Sequence, residues 1–256
     1  MRGVHPISGF RLTIENVKSH ISTTHEVLVA VFQVRPQPIH RNGGATSDTP
    51  ELCVLLWERA LDPMSGTWAL PGGRLEPDED LPDSARRQLA QKVDVQELTH
   101  LEQLSVFSDP QRVPGNRVIA STFLGLIPCP AEPELPTDTA WHPVARLPEM
   151  AFDHRIVVDH ARTRLAAKLS YTNIGFALAP HEFTVSTLKS IYSAALGYHV
   201  DATNLQRVLG RRRVITPTGT TAPPGKTGGR PAAMYRFTDT RYRVTDEFAA
   251  LRPPAD

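Results

Sequence analysis

The residues able to do chemistry fall into two groups. The first lies in 72–95, GGRLEPDEDLPDSARRQLAQKVDV. Paired glycines are followed by the acids Glu76, Asp78, Glu79 and Asp80, and then by a helical pattern in which Gln88, Gln91 and Lys92, three and four apart, share one face. Three carboxylates at that spacing would cradle a divalent cation, because magnesium takes carboxylates and water in a near-octahedral shell. Two neutral amides and an ammonium, which carries donors only, make a neutral-to-positive face instead. That face and the cations Arg59, Arg74, Arg87 and Lys92 suit a diphosphate, and Gly72 and Gly73 permit the close backbone approach a phosphate-rich ligand needs. Arg87 has a second reading, as a partner of Glu79 that holds the loop. No catalytic or metal-ligating residue is expected here. The competing reading keeps a metal on Glu76, Asp78 or Glu79.

The second group is basic. Between His181 and Phe237 eight lysines and arginines oppose only Glu182 and Asp201, so this stretch carries +6 in a chain whose net charge is +1, and the remainder carries −5. Such an asymmetry is a footprint of nucleic-acid binding. Within it, Asp201 caps a short helix, ATNLQRVLG, with Leu205, Val208 and Leu209 inward. Thr203, Gln206, Arg207 and Arg211 point outward and Asn204 lies on the flank. Arg207 suits either a guanine edge or a phosphate. The run Arg211-Arg212-Arg213 would by default be a solvated turn, but between a reading helix and a basic loop at least two of the three are expected on phosphate. Lys226 and Arg230 decorate that loop. The loop nearly matches a phosphate-binding P-loop, yet Gly219 and Gly225 enclose five residues where four are needed, two of them proline, without a strand-then-helix context. Trp68 and Phe107 suit either adenine stacking or the core.

These groups need elements to position them. Residues 25–34 and 51–58 read as buried strands, with 35–50 as a loop, and two more strands fit 101–108 and 117–127. A helix begins at Asp80 or Leu81, with Pro82 tolerated in its first turn and Ala85, Leu89 and Val93 facing inward. Six prolines make 128–148 mostly irregular. A helix over 154–169 places Ile156, Val157, His160, Ala161, Leu165 and Leu169 near one face. A second amphipathic helix runs from Val185, capped by Thr184, to a stop at Gly197. With the Asp201 helix it forms a helix-turn-helix. Strands at 213–216 and 233–237 around the basic loop make a wing.

The chain of 256 residues suits one large or two small domains. It has no run of eighteen apolar residues and its start lacks a signal-peptide pattern, so a cytoplasmic protein with no membrane association is expected. Cys53 and Cys129 sit in apolar runs and read as reduced, buried thiols. The ten histidines show no metal-ligand spacing.

Residues 72–95 resemble the Nudix box. Gly73, Glu79, Arg87, Leu89 and Val95 fall on its pattern, whereas Gln88, Gln91 and Lys92 stand where the family has metal-binding carboxylates and Asp94 replaces its closing glycine. Together with LSYTNIGFALAPHEFT, NLQRVL and GRPAAMYRF, the chain resembles the Nudix-related transcriptional regulators, the NrtR family, over nearly its whole length. The resemblance implies an α+β fold: a Nudix-like mixed β-sandwich domain over 1–172 and a winged helix-turn-helix over 173–256. It implies a homodimer that binds operator double-stranded DNA of NAD-metabolism genes as a regulator, chiefly a repressor. ADP-ribose or a related nucleotide acts as effector and no cofactor is required. Asn204, Leu205, Gln206 and Arg207 match the family's NFRRK-like stretch only in part, so a different operator is expected. The alternative is a Nudix hydrolase of ADP-ribose or another nucleoside diphosphate derivative.

Overall fold

The computed structural model describes residues 23–40, 46–95, 98–115, 117–223 and 231–246. Its first part is built on β1 (Thr23–His40), whose uninterrupted apolar run VLVAVF is explained by helices on both faces of the sheet. Val27, Val29 and Val31 face one side and Ala30, Phe32 and Val34 the other, the period-two alternation of a strand. β1 pairs with β2 (Thr46–Glu58), with β4 (Gly72–Arg74) and, in parallel, with β6 (Arg117–Leu126). β3 (Trp68–Ala69) and β7 (Thr139–Pro143) extend from β2, and β5 (His100–Phe107) pairs with β6. The result is one seven-stranded mixed sheet.

The expected loop over 35–50 is instead largely strand. Past Phe32, where pairing with β6 ends, β1 and β2 continue as a two-stranded arm with Pro36 opposite Pro50. With no neighbour on the outer side, the N–H that proline lacks is not missed there. β7 was likewise hidden among prolines in 128–148; it lies along β2 and ends at Pro143.

On one face lies α1 (Leu81–Val93). Asp80 caps it by accepting from the Asp83 amide at 2.9 Å, Pro82 sits in the first turn, and Ala85, Leu89 and Val93 are buried as expected. On the other face lies α2 (His154–Tyr171). Its buried stripe is His154, Val157, Val158, Ala161, Leu165 and Leu169; Ile156 and His160 are exposed, so the expected face was rotated by part of a turn.

The second part begins with β8 (Phe183–Thr184), α3 (Val185–Leu196) and α4 (Ala202–Arg211). Thr184 caps α3 by accepting from the Thr187 amide at 3.1 Å, and Gly197 ends it at φ 80°. Asp201 caps α4, accepting from the Asn204 amide at 2.7 Å. β9 (Ile215–Thr221) and β10 (Ala233–Phe237) form the wing, and β8 pairs with β10 to make a three-stranded sheet that the sequence reading did not include. Beside the cluster under α1, a larger apolar core runs from Phe32, Leu56 and Leu124 through Leu165 and Leu169 to Tyr192, Leu205 and Phe237. The two parts therefore share one hydrophobic interior.

Candidate effector pocket and nucleic-acid interface

A cavity of about 480 Å³ opens beside the box, lined by β1, the end of β2, the turn into β4, the end of α1 and the start of α2. Of the expected effector residues, Arg59, Gly72, Gly73 and Lys92 line it and Arg74 and Arg87 do not. Arg87 is committed to its own loop. It donates to Glu79 and, at 3.2 Å each, to the Arg74 carbonyl and Gln91 Oε1. The Arg87 guanidinium in turn holds the Glu79 carboxyl down to about 2. The reading of Arg87 as a loop-holding partner is the one this geometry favours. Arg74 is exposed and contributes its carbonyl to the same knot.

The glycines line the cavity, but packing explains them too. A Cβ on Gly72 would collide with the Val27 carbonyl, and one on Gly73 would lie 2.7 Å from the buried Gln88 amide. Gln88 is thus spent as packing beneath the turn, Gln91 faces Arg87, and the Lys92 ammonium stands 4.8 Å from the centre of the Trp57 ring. This donor set does not fit the divalent metals of a Nudix hydrolase: neutral amides turned elsewhere and an ammonium repel or ignore a cation. Among the described residues no group of three or more His, Cys, Asp or Glu side chains could hold a metal.

Two aromatic rings shape the cavity, and neither was singled out from the sequence. Trp57 donates its indole N–H to the Leu70 carbonyl at 3.1 Å. Phe152 sits under the Arg59 guanidinium at 5.0 Å. Each cation lies over a ring, which locates it without neutralising it. Phe152 has φ 51°, an unusual conformation for a bulky residue and a mark of a constrained site, but not one readable from sequence. Trp68 packs against the core with its ring 4.2 Å from that of His142, and Phe107 packs on His160; neither lines the cavity.

The back of the pocket is an ion network. The Arg112 side chain is almost wholly buried, donates to Asp153 at 2.9 and 2.7 Å and donates to Glu26, a cavity residue. Burial works against its charge, but the bonds to Asp153 and Glu26 outweigh it and raise its pKa. Beside it His154 accepts the Leu70 N–H on Nδ1 at 3.0 Å, and burial lowers its pKa to about 4, so the ring is neutral. Arg112 comes from a loop with no distinguishing motif.

In the second part, Thr203, Asn204, Gln206, Arg207 and Arg211 lie exposed on or beside α4, and Arg213 follows it, also exposed, at φ 55°. Arg212, one of the three arginines of which at least two are expected on phosphate, is engaged within the fold. Its side chain is 6% exposed, donates to the Ser170 carbonyl at 2.8 Å and pairs with Asp246 at 3.3 Å. It fastens α4 to the end of α2. Lys226 and Arg230 lie outside the described residues. Two features escaped the sequence reading. Tyr235 on β10 accepts the Gln206 Nε2–H at 2.7 Å. After the wing, residues 239–246 return as a strap: the buried Asn173 amide donates to the Asp239 and Arg241 carbonyls and accepts the Arg243 N–H, while Lys168 reaches Tyr242 at 2.7 Å. No helix among the described residues is long and apolar enough to cross a membrane.

Comparisons with known proteins agree with both parts. The family described as the NrtR DNA-binding winged helix domain matches residues 175–237, and the NUDIX domain matches residues 39–161. An "ADPR responsive transcriptional repressor NtrR" of Acinetobacter baylyi is 30% identical over 197 residues, 74% of this chain and 77% of that protein. The crystal structure of Shewanella oneidensis NrtR is 25% identical with a TM-score of 0.69, covering 90% of this chain and 99% of that one. The same Shewanella protein complexed with a 27mer DNA is 26% identical with a TM-score of 0.66, covering 89% and 97%. Similarity of this extent across both parts makes the chain a member of the NrtR family, the Nudix-related transcriptional regulators.

Proposed function

We propose that the protein is a cytoplasmic, homodimeric repressor of NAD-metabolism genes. Residues 1–172 sense ADP-ribose or a related nucleotide without hydrolysing it, and 173–256 bind an inverted-repeat operator. The Acinetobacter relative is named as responsive to ADPR, and the Shewanella relative was crystallised with DNA. One observation carries the sensing half. Lys92 brings a fixed positive charge into the pocket from a box position where a hydrolase has a carboxylate. With Arg59 it can face a diphosphate, and it cannot hold the metal that would cleave one. Arg59, Lys92, Trp57 and Phe152 are the residues we assign to the effector. Thr203, Asn204, Gln206, Arg207, Arg211 and Arg213 are those we assign to DNA. Two-fold symmetry of the protein would match a palindromic site.

Nucleotide and operator are coupled through the shared core. The nucleotide favours an arrangement that spaces the two reading helices wrongly for DNA, and by reciprocity the operator weakens nucleotide binding by the same factor. Calorimetric titration with ADP-ribose tests the sensing half. Binding is expected to survive chelation of divalent ions, with no AMP released, and Lys92→Ala is expected to weaken it roughly tenfold or more, the worth of a charged hydrogen bond. Release of AMP with magnesium or manganese would favour the hydrolase reading. A gel shift on neighbouring promoters tests the other half, and nucleotide affinity that ignores operator would remove the coupling.

A further inference from the structure

Two amide side chains, Asn204 and Gln206, lie exposed on the reading helix, and the structure treats them differently. The Asn204 oxygen accepts from Arg207 Nη2 at 2.7 Å, so its acceptor is already shared with a neighbour on the same helix. Gln206 spends one N–H on the Tyr235 hydroxyl at 2.7 Å and keeps its oxygen and its second N–H. Tyr235 is well placed to hold it. Its ring packs against the apolar core, and its strand is paired on both sides, with Phe183 of β8 and Pro217 of β9. A free glutamine samples several rotamers and pays entropy to settle in one; this one is braced from the wing. A neighbouring acceptor and donor in one plane complement N7 and the N6 amino group of adenine in the major groove.

We propose that Tyr235 is a positioning residue for base readout: its hydroxyl holds the Gln206 amide so that Gln206 reads one adenine of the operator. This rests on the operator-binding reading and adds to it the base and the residue that orients its reader.

Selection from randomised duplexes with the full chain tests it, comparing wild type, Gln206→Ala and Tyr235→Phe. Wild type should enrich an A·T pair at one position that Gln206→Ala flattens by about tenfold or more, the worth of one bidentate contact. Tyr235→Phe keeps the ring and its packing. It should cut discrimination at that same position by roughly threefold to tenfold through restored rotamer freedom. Preferences elsewhere and the salt dependence of binding, which reports phosphate contacts, should stay as in wild type. Full discrimination in Tyr235→Phe, an equal loss on all duplexes, or a preference other than A·T at the Gln206 position would each overturn the proposal while leaving operator binding intact. A wild-type chain that prefers no sequence would overturn the operator reading itself and the proposal with it.

Discussion

The pocket and the reading head both rely on arginine, and they hold it in opposite ways. Around the pocket the arginines are largely spent on carboxylates: Arg87 on Glu79, and Arg112 on Glu26 and Asp153. Among the lysines and arginines of the described residues, Arg59 and Lys92 line the cavity, each seated over an aromatic ring and opposite the carboxylates Glu26 and Asp62 of the same lining. On the reading head Arg207, Arg211, Arg213 and Arg236 are exposed, and among the described residues none is paired with a carboxylate. The difference follows from what each must do. A small cavity needs two located charges and a stiff wall, and bidentate ion pairs at low exposure supply the stiffness. A surface that meets a polyanion needs cations free to displace counterions. Arg212 is the exception on the head, and it behaves like a pocket arginine. It is buried against Ser170 and Asp246, where α2 ends, while the other end of α2 carries His154 into the cavity wall. One helix therefore touches both regions.

Breaking the pocket wall should have the largest effect. Arg112→Met would leave Glu26 and Asp153 facing each other without their cation, and a loss of about 3–5 kcal/mol in urea unfolding is expected, as for other buried pairs that lose one partner. The wall is also sensitive to acid. His154 is held near 4 in the fold against its ordinary 6.5, so below 6.5 the unfolded chain takes up a proton that the folded chain refuses. The His154 contribution to stability is therefore flat above that pH and falls as the pH drops toward 4, by up to about 3 kcal/mol. Unfolding curves from about pH 7 to about pH 4 should show this slope for wild type, and His154→Asn should lack its share of it.

The finest test separates the two kinds of arginine on the head itself. Arg211→Gln and Arg213→Gln should leave unfolding unchanged and each lower the salt slope of operator binding by about 0.9, one phosphate contact apiece. Arg212→Gln should do the reverse, lowering the melting temperature and leaving the slope alone. An unaltered slope in the first two variants would remove them from the DNA contact.

Much of the fold was legible because it rests on short-range periodicity. The start of the box helix at Leu81, the helix-turn-helix with Thr184 and Asp201 as caps and the returning strand of the wing all stand where the pattern placed them. The proline-bearing arm and β7 were not legible, since whether a proline is tolerated in a strand depends on whether a neighbour needs its N–H. The candidate site divides in the same way. Gly72, Gly73 and Lys92 were visible because the box has a recognisable spacing, Arg59 only as a cation near it in the chain, and the cavity includes all four. Trp57, Phe152 and Arg112 carry no such spacing; they come from strand end, loop and loop, distant in the chain.

Residue order alone determined which chemistry is present: amides and an ammonium in place of metal-binding acids, and a positive segment built on two capped helices. Tertiary structure decided which charges remain available. Glu79 claims Arg87, Asp246 claims Arg212 and Tyr235 claims one N–H of Gln206. A side chain's availability depends on partners brought near by folding, and the distances that select those partners are set by packing between segments far apart in sequence.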